Sequence, residues 1–137
     1  TCALDALAGR VLAEDVTADA DVPPFARAMM DGYAVRAADT AGASADAPRV
    51  LAVGGRVFTG EVFAGAITPG TAIEIATGAP LPTGGDAVVM VEETHAVDDG
   101  RVAIHAAAAP GQHVGRAGAD IARGAVVLRA GDVLLPS

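Results

Sequence analysis

The sequence predicts a β-dominated α+β fold, and three observations carry that expectation. Its apolar residues fall in short runs, Gly or Pro separates those runs, and the side chains available for an interior are small or β-branched, with aromatics at 3% and no Trp. Such interiors suit thin sheets joined by tight turns. Apolar residues make up 52% of the chain and charged residues 19%, a balance that belongs to a folded chain rather than a disordered one. At 137 residues one compact unit, or a small one carrying an inserted one, is expected.

At the amino end Leu4, Leu7 and Val11 share a face at helical spacing, but Gly9 interrupts them, so about one helical turn closing into a strand over 11–16 is expected. Asp21-Val22-Pro23-Pro24 forces an extended, helix-free entry, because proline lacks an N–H and restricts the residue before it. Residues 32–36 then alternate like a strand. Residues 37–48, rich in Ala, Asp, Gly and Ser, read as an exposed loop with a helical turn. Further strands are expected at 50–53, 73–76, 87–91, 102–104 and 126–128.

Asp98-Asp99-Gly100 predicts a hairpin turn between the strand near Val88-Val89-Met90-Val91 and Val102-Ala103-Ile104, since an Asp-Gly pair readily takes positive φ. Arg129-Ala130-Gly131-Asp132 reads as a second turn, between 126–128 and 133–135, and Pro136 as a boundary. No repeat, coiled coil or low-complexity tail is visible.

Charge and motif content narrow the function. Nine positive charges, all Arg, face seventeen acidic residues for a formal net charge of −8, which repels nucleic-acid phosphates and argues against such a partner. No apolar run approaches the ~20 residues of a membrane helix, and the start lacks the basic stretch of a signal peptide. A soluble cytoplasmic protein is the expectation. Cys2 is the single cysteine, so no internal disulfide framework or thiolate cluster is available, and His95, His105 and His113 are too dispersed for a zinc motif. They read as ordinary surface or turn histidines.

Three loops gather polar groups at strand edges: Met30-Asp31-Gly32-Tyr33, Ala76-Thr77-Gly78-Ala79-Pro80-Leu81-Pro82, and Gly115-Arg116-Ala117-Gly118-Ala119-Asp120. Glycine admits a ligand close to the backbone, a hydroxyl donates to an anionic oxygen, and a carboxylate holds a hard cation. That is a kit for binding a phosphate. Singly each loop reads as ordinary turn chemistry, and no P-loop, dinucleotide fingerprint or nucleophile elbow names a reaction. Arg27 and Arg116, beside these loops, are better anion-binding candidates than the other arginines. Glu92 and Glu93, adjacent on an expected strand, face opposite sides and do not read as a catalytic pair.

The order of segments is more specific than any one loop. Gly9-Arg10-Val11-Leu12-Ala13-Glu14-Asp15-Val16, then Val22-Pro23-Pro24-Phe25 leading to Met29-Met30-Asp31-Gly32-Tyr33-Ala34-Val35, resembles the opening of the molybdopterin molybdotransferase family, which includes MoeA and the gephyrin E-domain. Ile75-Ala76-Thr77-Gly78-Ala79-Pro80-Leu81-Pro82 with Gly85-Asp86-Ala87-Val88-Val89-Met90-Val91-Glu92 is similar to the family's second signature, and Gly118-Ala119-Asp120-Ile121 with Gly131-Asp132 to its third. The resemblance implies an inserted β-rich domain of coiled, bifurcated sheet over 20–121 within a small β domain made by 1–19 and 122–137.

It further implies a role in molybdenum cofactor biosynthesis. Family members insert molybdate into adenylylated molybdopterin and release AMP in a reaction that needs Mg²⁺, their substrate coming from a molybdopterin adenylyltransferase. By the same resemblance Asp31 is a Mg²⁺ or substrate-positioning carboxylate, Thr77 and Gly78 contact the pterin nucleotide, Arg116 is a substrate contact, and Asp120 is a second active-site acid. A homodimer is implied as well, and a dimerisation or interaction module of the same fold is the alternative function.

This chain departs from the family pattern at Ala26, Ala28, Gly115 and Ala119, where polar or basic side chains are common, and at Glu74, where Arg is frequent. Members continue into further domains, so the resemblance implies the two N-terminal domains of a longer enzyme, with little turnover on their own.

Overall fold

β-Branched and apolar runs form strands wherever another run can cover them, and the computed structural model has ten among its described residues, which are residue 3, residues 6–97 and residues 100–135. In chain order they are β1 (Val16–Thr17), β2 (Arg27–Ala28), β3 (Gly32–Val35), β4 (Arg49–Val57), β5 (Thr71–Ile75), β6 (Ala87–Met90), β7 (Thr94–Ala96), β8 (Arg101–Ile104), β9 (Val114–Gly115) and β10 (Val126–Leu128). Among the described residues helix is confined to single 3-10 turns, among them Ala37–Thr40 and Val91–Glu93. The fold is β-dominated. Chain contacts divide it into two compact units, Thr1–Pro24 with Ala117–Ser137 and Phe25–Arg116.

In the first unit the two arms of the chain run antiparallel. β1 pairs with β10, and isolated bridges join Val11 to Val133 and Val22 to Ile121. The expected strand over 11–16 is thus a bridge at one end and a two-residue strand at the other. The turn at 129–132 exists, with the Arg129 N–H donating to Asp132 Oδ2 at 2.7 Å. Its flanks pair with the amino-terminal arm rather than with each other: the Gly9 and Leu12 N–H groups donate to the carbonyls of Leu134 and Asp132. Leu4 and Pro136, on which the helical turn and the boundary partly rested, lie outside the described residues.

The second unit is built on a six-stranded sheet in the order β6-β3-β5-β4-β8-β7, antiparallel except between β4 and β5. Successive side chains on a strand face opposite ways, and here both faces are covered. Ala34, Ile73, Ile75 and Val88 belong to one buried cluster, while their sequence neighbours Val35, Ala72, Ala87 and Val89 belong to another. This double burial explains why the strands read as continuous apolar runs rather than as alternation. The interior is Ala, Val and Ile with few exceptions, and its buried polar residue, Thr40, donates to the Ala37 carbonyl at 2.8 Å and accepts the Ala108 N–H at 2.9 Å.

One extra residue in β4 reorients everything after it. Val53 lies opposite Ala72 and Arg56 opposite Glu74, so three steps on β4 match two on β5 across Gly54 and Gly55. This bulge moves Val57 to the face opposite Val53.

The expected hairpin between 88–91 and 102–104 is corrected by the pairing. β6 pairs with β3, and β8 pairs with β4 and β7. The Val91–Glu93 turn ends β6 and redirects the chain, so the three-residue β7, nearer in sequence, takes the hairpin position. Glu92 and Glu93 sit on that turn rather than on a strand. Asp98 and Asp99, the expected hairpin tip, lie outside the described residues.

Candidate functional site

Asp31 is delivered to the end of the sheet by a glycine. A Cβ on Gly32 would stand 1.9 Å from the Val89 carbonyl oxygen, so the close approach of β6 to the start of β3 is open to glycine alone. The Asp31 carbonyl accepts the Val91 N–H at 3.1 Å, which fixes the backbone where the side chain emerges. Thr77, two residues beyond β5, meets it there: its N–H and its Oγ1 both donate to Asp31 Oδ1, each at 2.7 Å.

These two bonds hold the Asp31 carboxyl below its ordinary pKa, the backbone N–H contributing most and the hydroxyl next, with a small opposing effect of desolvation. The group is therefore ionised at neutral pH. Among the described residues no donor reaches Oδ2, which leaves that oxygen for a ligand. Gly78 turns the loop at φ 83°, a left-handed value suited to glycine, and its N–H donates to the Ala28 carbonyl at 2.8 Å. Thr59, which no sequence signal marks, donates from Oγ1 to the Thr77 carbonyl at 2.7 Å. A chain of donors thus runs from Thr59 through Thr77 to Asp31.

Beside Asp31 a cavity of about 290 Å³ opens at the end of the sheet. Its walls include Tyr33, Val57, Phe58, Glu74 and Val91. Tyr33 and Glu74 are directly opposed on β3 and β5, and Glu74 Oε2 stands 3.9 Å from Arg56 Nε in a loose, solvent-exposed ion pair worth little by itself. Burial pushes the Tyr33 hydroxyl pKa up, and the Glu74 charge adds to the rise. The phenol stays protonated as a donor. Phe58 is 47% exposed, and its backbone is tied into a turn: its N–H donates to Glu61 Oε2 at 3.1 Å and its carbonyl accepts the Glu61 N–H at 3.0 Å.

The other sequence-selected residues lie elsewhere. Arg116 is exposed at the carboxyl end of the second unit, just past β9, which pairs with β2 so that Arg27 faces Gly115. Asp120 belongs to the first unit, exposed, with its N–H donating to the Val22 carbonyl at 2.9 Å. Of the departures, Ala28 is a core residue, 1% exposed, and the Ala26 carbonyl accepts the Leu81 N–H at 2.8 Å. His113 does occupy a turn, at φ 54°. His95 and His105, far apart on expectation, meet across β7 and the end of β8 with Nδ1 and Nε2 2.6 Å apart.

Among the described residues no three His, Cys, Asp or Glu side chains are grouped to hold a metal. Asp31, ionised and with one oxygen available, fits Mg²⁺ as a single carboxylate ligand, the usual way that ion is shared with substrate phosphate and water. No helix among the described residues is long and apolar enough to cross a membrane.

Comparison with known proteins agrees along the whole chain. A family model described as the MoeA N-terminal region (domain I and II) matches residues 1–137. Molybdopterin molybdenumtransferase 2 of Mycobacterium tuberculosis (strain ATCC 25618 / H37Rv) is 44% identical over 129 residues, 94% of this chain and 32% of that protein. The molybdopterin molybdenumtransferase of Bacillus subtilis (strain 168) is 39% identical over 130 residues, 93% of this chain and 30% of its own length. The crystal structure of a molybdopterin biosynthesis moeA protein from Pyrococcus horikoshii OT3 superposes with a TM-score of 0.89 at 41% identity, covering 98% of this chain and 35% of that one. The chain spans about a third of the length of the relatives it matches.

Proposed function

Because the chain belongs to the MoeA N-terminal region family, we propose that it is the substrate-holding part of a molybdenum cofactor biosynthesis transferase, one that inserts molybdate into adenylylated molybdopterin with release of AMP. The observation that carries this reading is the paired donation of Thr77 to Asp31 Oδ1. It joins residues from two of the family's signature segments into one polar site with a carboxylate oxygen to spare.

On this reading Asp31 positions the substrate through Oδ2 and supplies the protein ligand to Mg²⁺, while Gly78 lets the nucleotide approach the loop backbone. Mg²⁺, when bound, would neutralise phosphate charge as the phosphoanhydride breaks. An acidic protein needs such neutralisation to accept an anionic substrate. Arg116 is proposed as a further substrate contact and Asp120 as a second acid. A molybdopterin adenylyltransferase supplies the substrate, and a second copy of the chain is the proposed structural partner, in the cytoplasm.

A second reading, a dimerisation or interaction module, has one observation in its favour: Val11, Val126, Val127 and Val133 of the first unit are 41–63% exposed. Calorimetric titration with adenylylated molybdopterin, with and without Mg²⁺, tests the first. Mg²⁺-dependent binding that disappears in Asp31→Ala is the expected result. Binding unchanged in Asp31→Ala would refute the role of that carboxylate.

A further inference from the structure

At Thr77 the loop after β5 passes from one main-chain support to another. Before it the Ala76 N–H donates to the Val57 carbonyl at 3.2 Å, and after it Gly78 and Ala79 are laddered to Ala28 by bonds of 2.8 and 3.0 Å. The main chain of Thr77 itself is held by side chains: its N–H donates to Asp31 Oδ1, and its carbonyl accepts the Thr59 hydroxyl.

What the Thr59 bond does follows from the turn it touches. Residues 76–79 form a β-turn, closed by the Ala79 N–H donating to the Ala76 carbonyl at 3.0 Å, with Gly78 third at φ 83°. This is the type II form, which becomes type I when the central peptide rotates through about 180°. Glycine populates both signs of φ, so Gly78 does not choose between the two. The hydrogen bonds choose. The central peptide carries the Thr77 carbonyl and the Gly78 N–H, held by Thr59 at 2.7 Å and by the Ala28 carbonyl at 2.8 Å. Side-chain rotamers depend on φ and ψ, so a peptide free to rotate also disturbs the rotamer that sets Thr77 Oγ1 beside its N–H on Asp31 Oδ1.

Thr59 reaches this peptide because β4 runs parallel to β5 with Val57 opposite Ile75, so two more residues on each side bring 59 level with 77. The segment beyond it is tied down. The Phe58 carbonyl accepts the Glu61 N–H at 3.0 Å, and Phe63 packs against the buried cluster of Val57, Ile73 and Ile75. Its ring uses the space left by Gly55 and Gly65, where a Cβ would stand 2.9 and 2.8 Å from it. A hydroxyl presented by ordered backbone loses little conformational entropy on bonding.

We propose that Thr59 is a positioning residue of the carboxylate site, its hydroxyl locking the 77–78 peptide in the type II form and so keeping both Thr77 donors on Asp31 Oδ1. The proposal rests on the function proposed above and deepens it, since it extends the substrate-holding machinery to the segment after β4. Thr59 acts through Thr77 and not on the substrate.

The test compares Thr59→Val, which keeps the shape and removes the hydroxyl, with Thr59→Ser, which keeps the hydroxyl. Two quantities are read in the native chain and in each variant: the Asp31 carboxyl pKa by NMR, and the affinity for adenylylated molybdopterin with Mg²⁺ by calorimetry. In Thr59→Val the pKa should rise toward the ordinary aspartate value and binding should weaken about two- to tenfold, the worth of one neutral hydrogen bond. Thr59→Ser should stay near the native chain in both. A hydroxyl with a merely structural role would shift the urea midpoint and leave the Asp31 pKa where it was. An unchanged pKa or an unchanged affinity in Thr59→Val, or a Thr59→Ser chain that behaves like it, would overturn the proposal. In those cases native binding that is lost in Asp31→Ala leaves the broader reading standing, whereas native binding that is absent, or indifferent to Asp31→Ala, removes both.

Discussion

Thr77 closes on Asp31 from 46 positions away, and both of its donors fall on the same carboxylate oxygen. Oδ1 is thereby committed to the protein, while Oδ2 has no donor among the described residues. Removing the hydroxyl alone separates the two contributions. In Thr77→Val the backbone bond remains, so the Asp31 carboxyl pKa, followed by NMR, should rise only part of the way to the ordinary aspartate value of about 3.9. On the proposed function, the same change should weaken binding of adenylylated molybdopterin roughly 10- to 100-fold, the scale for residues that orient a ligand.

The lowered Asp31 pKa also sets a direction in pH. A carboxyl whose folded pKa lies below its unfolded value stabilises the fold above the unfolded value and loses that contribution as pH falls through the folded one. Any stability due to Asp31 should therefore be constant near neutrality and disappear only on the acid side of about pH 4. Urea melts from pH 7 to pH 3, compared between the native chain and Asp31→Asn, check this. A loss specific to the native chain between pH 7 and pH 5 would contradict it.

Tyr33 is the single tyrosine in a chain with no tryptophan, so its ionisation can be followed by absorbance near 295 nm. The midpoint should lie above the ordinary value of about 10. Its sign is opposite to that of Asp31: the stabilising contribution is complete below the unfolded pKa and is lost as pH rises through the folded one. Glu74→Gln should lower the midpoint without restoring it to 10, because burial is the larger cause.

Gly32→Ala places a methyl group 1.9 Å from the Val89 carbonyl oxygen, which is a backbone atom and cannot swing aside. We expect a loss of about 3 kcal/mol or more, the upper end of overpacking costs, in denaturant unfolding. Gly100→Ala tests the contrast, since a Cβ there meets nothing within 4 Å and strain at φ 75° is the remaining cost. That cost should be about 1–2 kcal/mol.

Core and periphery should differ as sharply. Ile73 is 2% exposed between the strands flanking β5, whereas Val126 is 43% exposed. Ile73→Ala should cost about 2–5 kcal/mol and Val126→Ala roughly 0.5 kcal/mol or less, both read from urea midpoints.

Much of the sheet was legible because its strands are doubly buried and their composition says so. The pairing was not. β2, β7 and β9 are two or three residues long and contain Arg, Thr, His and Gly, so nothing local marks them, and their registers depend on partners distant in sequence. The site was legible only in part. Asp31 and Thr77 stood out through ordered signatures, but Thr59 and Phe58 follow the bulge at Gly54 and Gly55. A one-residue slip reverses every later side chain on a strand, so simple alternation from Val53 assigns Val57 to the wrong face. The meeting of His95 and His105 was not legible for a similar reason, since only the β7–β8 register brings them together.

The first unit takes its two arms from the segments on either side of the second unit, and this has a consequence during synthesis. A ribosome adding roughly 5–20 residues per second needs about 5–20 seconds to pass through the intervening ninety or so residues before the second arm exists. Throughout that interval the β1 arm, with Val11 and Val16 on it, has no strand to pair with. The nascent β1 arm is then a waiting half-ladder, exposed to capture by a second nascent chain or by a chaperone, and the inserted unit has time to reach its own fold first.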